Sequence, residues 1–200
     1  MPTYPLPFPA KTPAREKLQL NNRQAAMESP HTLAIQVVNT ASQWNLDFTW
    51  PRMSLTRAQV LQGWLNSLQG QVGTFRYYPR SATRSATTGI SLALAAYSYS
   101  TNVRLSGWAP NAATGVSVGQ FFQLGDQLLQ VTAVAATADA NGQALVEFQP
   151  MLRANYTAGA AINLATPSGV FRLVTAETPS FDLDIDGLPT FPSVIAKEAI

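Results

Sequence analysis

The stretch at residues 50–79, WPRMSLTRAQVLQGWLNSLQGQVGTFRYYP, constrains the fold most. It predicts one amphipathic helix in a chain whose other segments have the pattern of β strands. The apolar residues of this helix recur at helical spacing and form one stripe: Ala58, Leu61, Trp64, Leu65 and Leu68. A helix of this kind covers a sheet, so we expect the stripe, including Trp64 and Leu65, to be buried.

Local signals mark both ends of this helix. Thr56 and Gln59 have the T-x-x-Q spacing of a capping box, and Leu55 and Val60 are placed as a hydrophobic staple. Gly70 stands where a left-handed C-cap residue is expected. After it, TFRYYP predicts a short strand that ends at the proline.

The residues before the helix predict an arm followed by a hairpin. Residues 1–30 are rich in proline and polar residues and lack hydrophobic periodicity, so they predict an extended N-terminal arm. Because such an arm cannot form a core, we expect residues 1–25 to lie against a neighbouring chain. HTLAIQVVN (31–39) and WNLDFTW (44–50) predict two strands with a short connection between them.

Short strands at close spacing follow the helix. Residues 79–89 are polar and predict a linker, and the strand patterns then run from about 90 to 166. Gly125-Asp126 and Asn141-Gly142 mark tight turns between strands. This pattern is typical of a small barrel or sandwich. SGVFRLVTA and SFDLDID then return to plain strand alternation.

These segments predict a mainly β fold in which one domain interrupts another. The arm covers residues 1–30, and the outer domain, which carries the helix, covers residues 31–80 and 168–200. The inserted β domain covers residues 81–167. A chain of 200 residues is long enough for one domain with a smaller one inserted in it.

Composition narrows the classes of function. Charged residues make up 12% of the chain, well below the usual level of about 25%, which favours surfaces that meet other protein. The absence of cysteine excludes disulfides and thiolate chemistry. We find neither a signal-peptide pattern nor an apolar run long enough for a membrane span, so we expect a soluble chain.

The charges are unevenly distributed. Residues 1–120 contain ten Lys and Arg against three acids, and residues 121–200 contain three against eight. The two parts therefore carry +7 and −5. This asymmetry is compatible with nucleic-acid contact, and equally with head-to-tail contact between copies of the chain.

The sequence offers no constellation for catalysis, so we do not expect an enzyme or a cofactor. GVSVG, with Ser117, matches the G-x-S-x-G nucleophile elbow, but a strand pattern follows where that motif requires a helix. The one histidine, His31, lies upstream and cannot by itself complete a triad or a two-histidine metal site.

DLDIDG, at residues 182–187, resembles the opening of a calcium loop. The twelfth position of such a loop should be a glutamate, but it is Ser193 here. The preferred interpretation is a strand in which Asp182, Asp184 and Asp186 form an outward acidic face. We therefore expect no metal there.

FRYYPR mixes aromatic residues with arginine, as platforms for single-stranded nucleic acid do. Alternation along a strand sends Phe75 and Tyr77 to one face and Arg76 and Tyr78 to the other. No further basic stripe accompanies them, so specific nucleic-acid binding is not expected.

Three longer stretches carry a resemblance to a known family. The first is FTWPRMSLTRAQVLQGWLNSLQGQVGTFRYYP, the second is FFQLGDQLLQVTAVAATADANGQALVEFQPMLR, and the third is PSGVFRLV. In this order they are similar to the distal tail proteins of long-tailed, siphovirus-type bacteriophages. The resemblance covers about residues 40–175.

The resemblance implies a fold and an assembly. The fold is a tail-tube-like β sandwich with one flanking α-helix, interrupted by a small OB-like β-barrel. The assembly is a homohexameric ring in the virion, made in the bacterial host cytoplasm, that joins the tail tube to the tail-tip hub. The tape-measure protein and fibres are further possible partners, and Asp182, Asp184 and Asp186 are expected to face the ring's lumen or an aqueous cleft beside it.

Two other functions are compatible with the same sequence. One is a carbohydrate- or receptor-binding β module that uses the insert, and the other is a nucleic-acid-binding barrel. The oligomeric state separates them, because a ring protein forms hexamers and a binding module is typically a monomer.

Overall fold

The computed structural model describes residues 3–85 and 87–199. Its strands and its helix are, in chain order, β1 (Leu6–Pro7), β2 (Arg15–Glu28), β3 (Ile35–Thr49), α1 (Leu55–Ser67), β4 (Phe75–Tyr77), β5 (Ser91–Leu92), β6 (Asn102–Ser106), β7 (Phe121–Leu124), β8 (Gln127–Val134), β9 (Gln143–Gln149), β10 (Ile162–Asn163), β11 (Gly169–Leu173), β12 (Asp182–Leu183), β13 (Pro189–Thr190) and β14 (Val194–Glu198).

The chain divides into two compact units. The first consists of residues up to Gln19, of Asn45–Ser81, and of the residues from Ser168 onward. The second consists of Leu20–Trp44 and Ala82–Pro167. It therefore contains the predicted insert together with a segment, residues 20–44, that the sequence did not associate with it.

A six-stranded sheet with the order β1-β4-β11-β14-β3-β2 organises the first unit. β1 is parallel to β4, and the pairs β4–β11, β11–β14 and β14–β3 are antiparallel. Alternation along β3 places Leu46 and Phe48 in the core, because successive side chains of a strand point to opposite faces. Trp50 continues this buried row just beyond the strand.

The N-terminal residues belong to this sheet, so the predicted extended arm over 1–30 is wrong where the structure describes it. The Leu6 N–H donates to the Thr74 carbonyl at 2.8 Å, and the Phe8 ring lies 4.8 Å from the Tyr77 ring. Farther on, residues 15–28 form β2. The expectation that a neighbouring chain holds residues 1–25 is therefore wrong for the part around Leu6 and Phe8, because these apolar side chains have partners in their own chain. Residues 1 and 2 lie outside the described residues.

The hairpin predicted from residues 31–50 is also wrong. Residues 35–49 form the single strand β3, which lies between β14 and β2 in the sheet. The connection expected at residues 40–42 contains neither Gly nor Pro, the strongest turn formers, and the strand continues through it. The actual hairpin joins β2 to β3, and the Ser29 N–H donates to the Ala34 carbonyl at 2.9 Å across it.

The helix exists as predicted, but its N-terminal signals were misread. Ser54 is the N-cap and makes no side-chain capping hydrogen bond, so the capping box of Thr56 and Gln59 is wrong. Leu55 and Val60 are both exposed, so they form no hydrophobic staple. Both motifs assume that the helix begins two residues later than it does.

The C-terminal signal of the helix was placed one residue too late, because Leu68 is the C-cap and Gln69, with φ +52°, is the first left-handed residue. Gly70 follows the helix in the left-handed region, with φ +64°. A Cβ atom at this position would lie 2.2 Å from the Ala176 carbonyl oxygen. Glycine is therefore required both by the backbone conformation and by the close approach of residue 176.

A nearly closed, barrel-like sheet organises the second unit. Its order is β10-β7-β8-β9-β6-β5, with antiparallel neighbours throughout, and a bridge between Ser91 and Ala161 connects the two ends. Phe122 and Phe148 meet edge to face in its core, with ring centroids 5.5 Å apart. Gly125-Asp126 connects β7 to β8, as predicted. The fold class, mainly β with a helix and a barrel-like insert, is confirmed.

Candidate functional site

The outer part of the β2–β3 hairpin, residues 21–40, is a two-stranded ribbon that we call the assembly ribbon. Apart from Ser29, which is half-buried, every side chain in it is exposed. The described part of the chain therefore covers neither face of this ribbon. The Thr40 hydroxyl donates to the Arg23 carbonyl at 2.9 Å, which helps to hold the two strands together.

The assembly ribbon exposes large apolar side chains. Five of them have between 48% and 71% of their surface exposed, and they are Met27, Leu33, Ile35, Val37 and Val38. An isolated two-stranded hairpin is marginally stable in water, and contiguous exposed apolar surface is typical of interaction sites. The ribbon is therefore a candidate surface for contact with another protein.

The base of the ribbon is held firmly. The Trp44 Nε1–H donates to the Leu128 carbonyl at 2.9 Å, and the Trp44 ring meets Phe121 edge to face at 5.6 Å. Arg153 donates through Nη2 to the Ser42 carbonyl. The Arg153 N–H in turn donates to the Gln127 side chain at 3.1 Å. These contacts fix the guanidinium beside the ribbon.

A polar cleft of about 530 Å³ opens at this base, and we call it the arginine cleft. It is lined by Asn21, Asn22, Arg23, Gln24, Ala41, Ser42, Gln43 and Arg153. No carboxylate is among the described residues that line it, so its two arginines make it positively charged. Ser42 is 1% exposed, and its Oγ has no hydrogen-bond partner among the residues that the structure describes.

The predicted helix stripe faces the core of the first unit. Ala58, Leu61, Leu65 and Leu68 are buried. Trp64 is only half-buried, and its Nε1–H donates to the Pro7 carbonyl at 3.0 Å. The prediction of a buried Trp64 was therefore too strong.

The predicted acidic strand over residues 180–186 is wrong. Only Asp182–Leu183 is strand, and it pairs with Pro189–Thr190 around an exposed turn; we call residues 182–190 the acidic turn. The Gly187 N–H donates to the Asp184 carbonyl at 2.9 Å, which closes the turn. Ile185, which alternation along such a strand would place in the core opposite the aspartates, is 99% exposed. Gly187, at φ +69°, permits this turn and ends the alternation.

Arg52 is the ion-pair partner of this turn. Its guanidinium lies 3.8 Å from Asp184 and 3.5 Å from Asp186, and all three side chains are more than half exposed. Exposed pairs of this kind contribute little to stability. The described residues contain no group of three or more His, Cys, Asp or Glu side chains that could hold a metal ion.

The residues weighed for catalysis and nucleic-acid binding are not brought together into a site. Ser117 is exposed in the loop before β7, where a nucleophile elbow would require a helix, and His31 is exposed in the ribbon's loop. Phe75 and Tyr77 are buried in the first unit. Their rings therefore cannot stack on bases.

Two tyrosines have shifted acidities. Burial is the main cause that raises the pKa of Tyr77, and the negative charge of Glu16 and a hydrogen bond to that carboxylate add to it. Burial, followed by the charge of Asp126, raises the pKa of Tyr156. The Tyr156 hydroxyl donates to the Leu124 carbonyl at 3.2 Å. Both hydroxyls act as structural hydrogen-bond donors.

Comparison with known proteins adds no family. No protein-family model and no curated protein matches the sequence. In the part of the chain that the structure describes, no helix combines the length and the hydropathy needed to cross a bilayer.

Proposed function

We propose that this protein is a structural subunit that assembles with copies of itself into a ring, most simply a hexamer. By its resemblance to distal tail proteins, the ring would belong to a phage tail tip and join the tail tube to the tail-tip hub. The assignment to a phage tail tip rests on this resemblance alone. The self-assembly is supported, in addition, by physical features of the chain.

The observation that carries the proposal is the assembly ribbon. It extends β2 and β3 by residues that no described part of the chain covers, and it exposes five large apolar side chains. β2 is also the edge strand of its sheet, so it offers unpaired backbone groups for pairing with another strand. When neighbouring subunits cover this surface, the apolar side chains are removed from water and the backbone groups at the open edge of β2 gain hydrogen-bond partners.

Charged surfaces support the same proposal. Both compact units contain residues from 1–120 and from 121–200, so attraction between copies comes from local charged surfaces, such as the acidic turn, rather than from the two sequence parts as such. In a closed ring, each subunit presents two different surfaces to its two neighbours. Opposite charges in different parts of one chain suit such head-to-tail contacts.

Native mass spectrometry tests this proposal. We expect the wild-type chain, of 21.5 kDa, to form a discrete closed oligomer that is close to six times this mass. Ile35→Ser combined with Val37→Ser should shift the mass towards the monomer, because it removes apolar surface from the ribbon.

Leu94→Ser is the matched control, since Leu94 is similarly exposed but lies outside the ribbon. It should leave the oligomer intact. A wild-type chain that stays monomeric over the whole accessible concentration range would contradict the proposed ring.

A further inference from the structure

We propose that the acidic turn of one copy inserts into the arginine cleft of the next copy, and that this is the head-to-tail contact of the ring. The inference rests on the proposed self-assembly and names the two surfaces that meet. It is carried by charge, by preorganised hydrogen-bond donors and by the shape of the turn.

The charges of the two surfaces are complementary. The arginine cleft presents Arg23 and Arg153, and no described residue lining it is acidic. The acidic turn presents Asp182, Asp184 and Asp186, opposed in its own chain by Arg52. Because the pairs with Arg52 are exposed and weak, the carboxylates can be shared with a second cation at little cost.

The donors of the cleft are already in place. Arg153 is anchored through its Nη2 to the Ser42 carbonyl and through its backbone N–H to Gln127. Its guanidinium is therefore ordered before any partner arrives, which lowers the entropy cost of binding. The Ser42 hydroxyl lies beside this site but is buried, so the arginines supply the donors that an incoming carboxylate can reach. A carboxylate accepts charge-assisted hydrogen bonds from such guanidinium groups.

The turn has a shape that can enter a cleft. Ile185 is 99% exposed and stands between two carboxylates at the tip. The turn is held by the Gly187 N–H bond to the Asp184 carbonyl and by the Ile185 N–H bond to Asp184 Oδ1 at 2.8 Å. It is therefore a hydrogen-bonded turn with one apolar side chain exposed at its end.

A second cavity, of about 480 Å³, suits that apolar side chain. It shares Arg23, Gln24 and Ala41 with the arginine cleft and is completed by Ala25 and Thr40. The two alanines and the aliphatic stems of the longer side chains give it an apolar floor. Ile185 can occupy this cavity while its neighbouring carboxylates meet the arginines.

This contact replaces the lumen-facing role expected from the sequence. The lumen-facing role was expected on the assumption that the three aspartates lie in line on one extended strand. The structure instead gathers Asp184 and Asp186 around a projecting tip, which suits insertion into a cleft. Because the cleft and the turn are different surfaces, their contact is heterologous and can close into a ring.

Charge reversal in two separate chains tests the contact. We expect Arg23→Glu and Asp186→Arg each to weaken assembly about tenfold or more, measured as the concentration at half-dissociation. When the two variants are mixed in equal amounts, every contact is again between opposite charges. We therefore expect alternating rings of near wild-type stability, with both masses present in equal number by native mass spectrometry.

Controls separate the possible outcomes. Arg57→Glu changes an exposed arginine of α1 outside both surfaces and should assemble as the wild type does. Circular dichroism should show that each variant is folded. If the wild type assembles but both reversal variants assemble equally well, or if mixing them restores nothing, the proposed contact is wrong while the ring stands.

The alternative occupant of the cleft is a small anion. Inorganic phosphate that raises the melting temperature of the wild type, but not of Arg23→Glu, with assembly unaffected by either reversal, would overturn the docking in favour of an anion site. A monomeric wild type would instead overturn the proposed function itself.

Discussion

At the scale of single residues, Tyr77 couples the N-terminal segment to the core. Its hydroxyl donates to Glu16 Oε2 at 2.9 Å, and the Arg80 N–H also donates to this carboxylate at 3.2 Å. The Tyr77 ring is buried among aromatic neighbours that include Phe8 and Phe48. One side chain thus contributes both apolar burial and a charge-assisted hydrogen bond.

Replacing Tyr77 by phenylalanine should lower the free energy of unfolding at neutral pH by about 1.5–3 kcal/mol, the usual value for a lost hydrogen bond to a charged group. The pKa of Tyr77 in the folded chain is above its ordinary value of 10.0. Its stabilisation is therefore complete below about pH 10 and declines as the pH rises further.

Urea unfolding at several pH values checks both effects. The decline in stability above pH 10 should be shallower in Tyr77→Phe than in the wild type. Tyr78→Phe, which alters a half-exposed ring on the opposite face, is the control and should behave as the wild type does. If the free energy of unfolding falls with pH equally steeply in all three proteins, Tyr77 is not the cause of the decline above pH 10.

At the scale of elements, the insert is attached to the chain at two neighbouring points. The Ser85 N–H donates to the Leu164 carbonyl at 3.3 Å, so the segment leaves and returns at almost the same place. Its core is its own, because apolar residues such as Leu92, Val131 and Phe148 form one cluster within the barrel-like sheet. A short bridge can therefore replace it.

We expect that replacing residues 84–165 with a short Gly/Ser linker leaves the first unit folded. The change removes the partners of Trp44, so Trp44→Gln should be included to avoid a new exposed aromatic ring. Far-UV circular dichroism and a cooperative thermal transition are the measurements. Insoluble or unfolded protein with every linker length would indicate that the two units share one core.

At the scale of the whole molecule, the opposite charges of the acidic turn and the arginine cleft contribute to the proposed assembly. Attraction between opposite charges on different copies acts across solvent-exposed surfaces and is screened by salt. The apolar contact of the assembly ribbon is not screened in this way. The two contributions can therefore be separated by ionic strength.

We expect the protein concentration at half-dissociation to rise as sodium chloride is raised from about 0.05 M to 0.5 M. The Debye length shortens over this range, so the attraction between charges is screened. Analytical ultracentrifugation measures the shift. The Arg23→Glu variant should show a smaller dependence on salt. An oligomer that strengthens steadily with salt would mean that apolar contact dominates and charge contributes nothing.

The sequence by itself determined those features that depend on spacing along the chain. Helical periodicity located α1 and its buried residues, such as Leu61 and Leu65, because neighbouring turns of a helix place these side chains on one face. Turn residues located the connection at Gly125-Asp126. The polar linker and the return strand bounded the insert, since such local signals act within a few residues.

Only the tertiary structure decided the positions of the N-terminal segment, the arginine cleft and the acidic turn, because these features depend on partners that are distant in the sequence. Leu6 and Phe8 look like part of a disordered arm until β4, some seventy residues later, supplies their partners. The arginine cleft joins residues of β2 and β3 to Arg153, far along the chain. The aspartates alternate as in a strand, yet without a long partner strand their backbone turns at Gly187. Periodicity along a chain predicts which face a residue occupies, but pairing between distant segments determines whether that face exists.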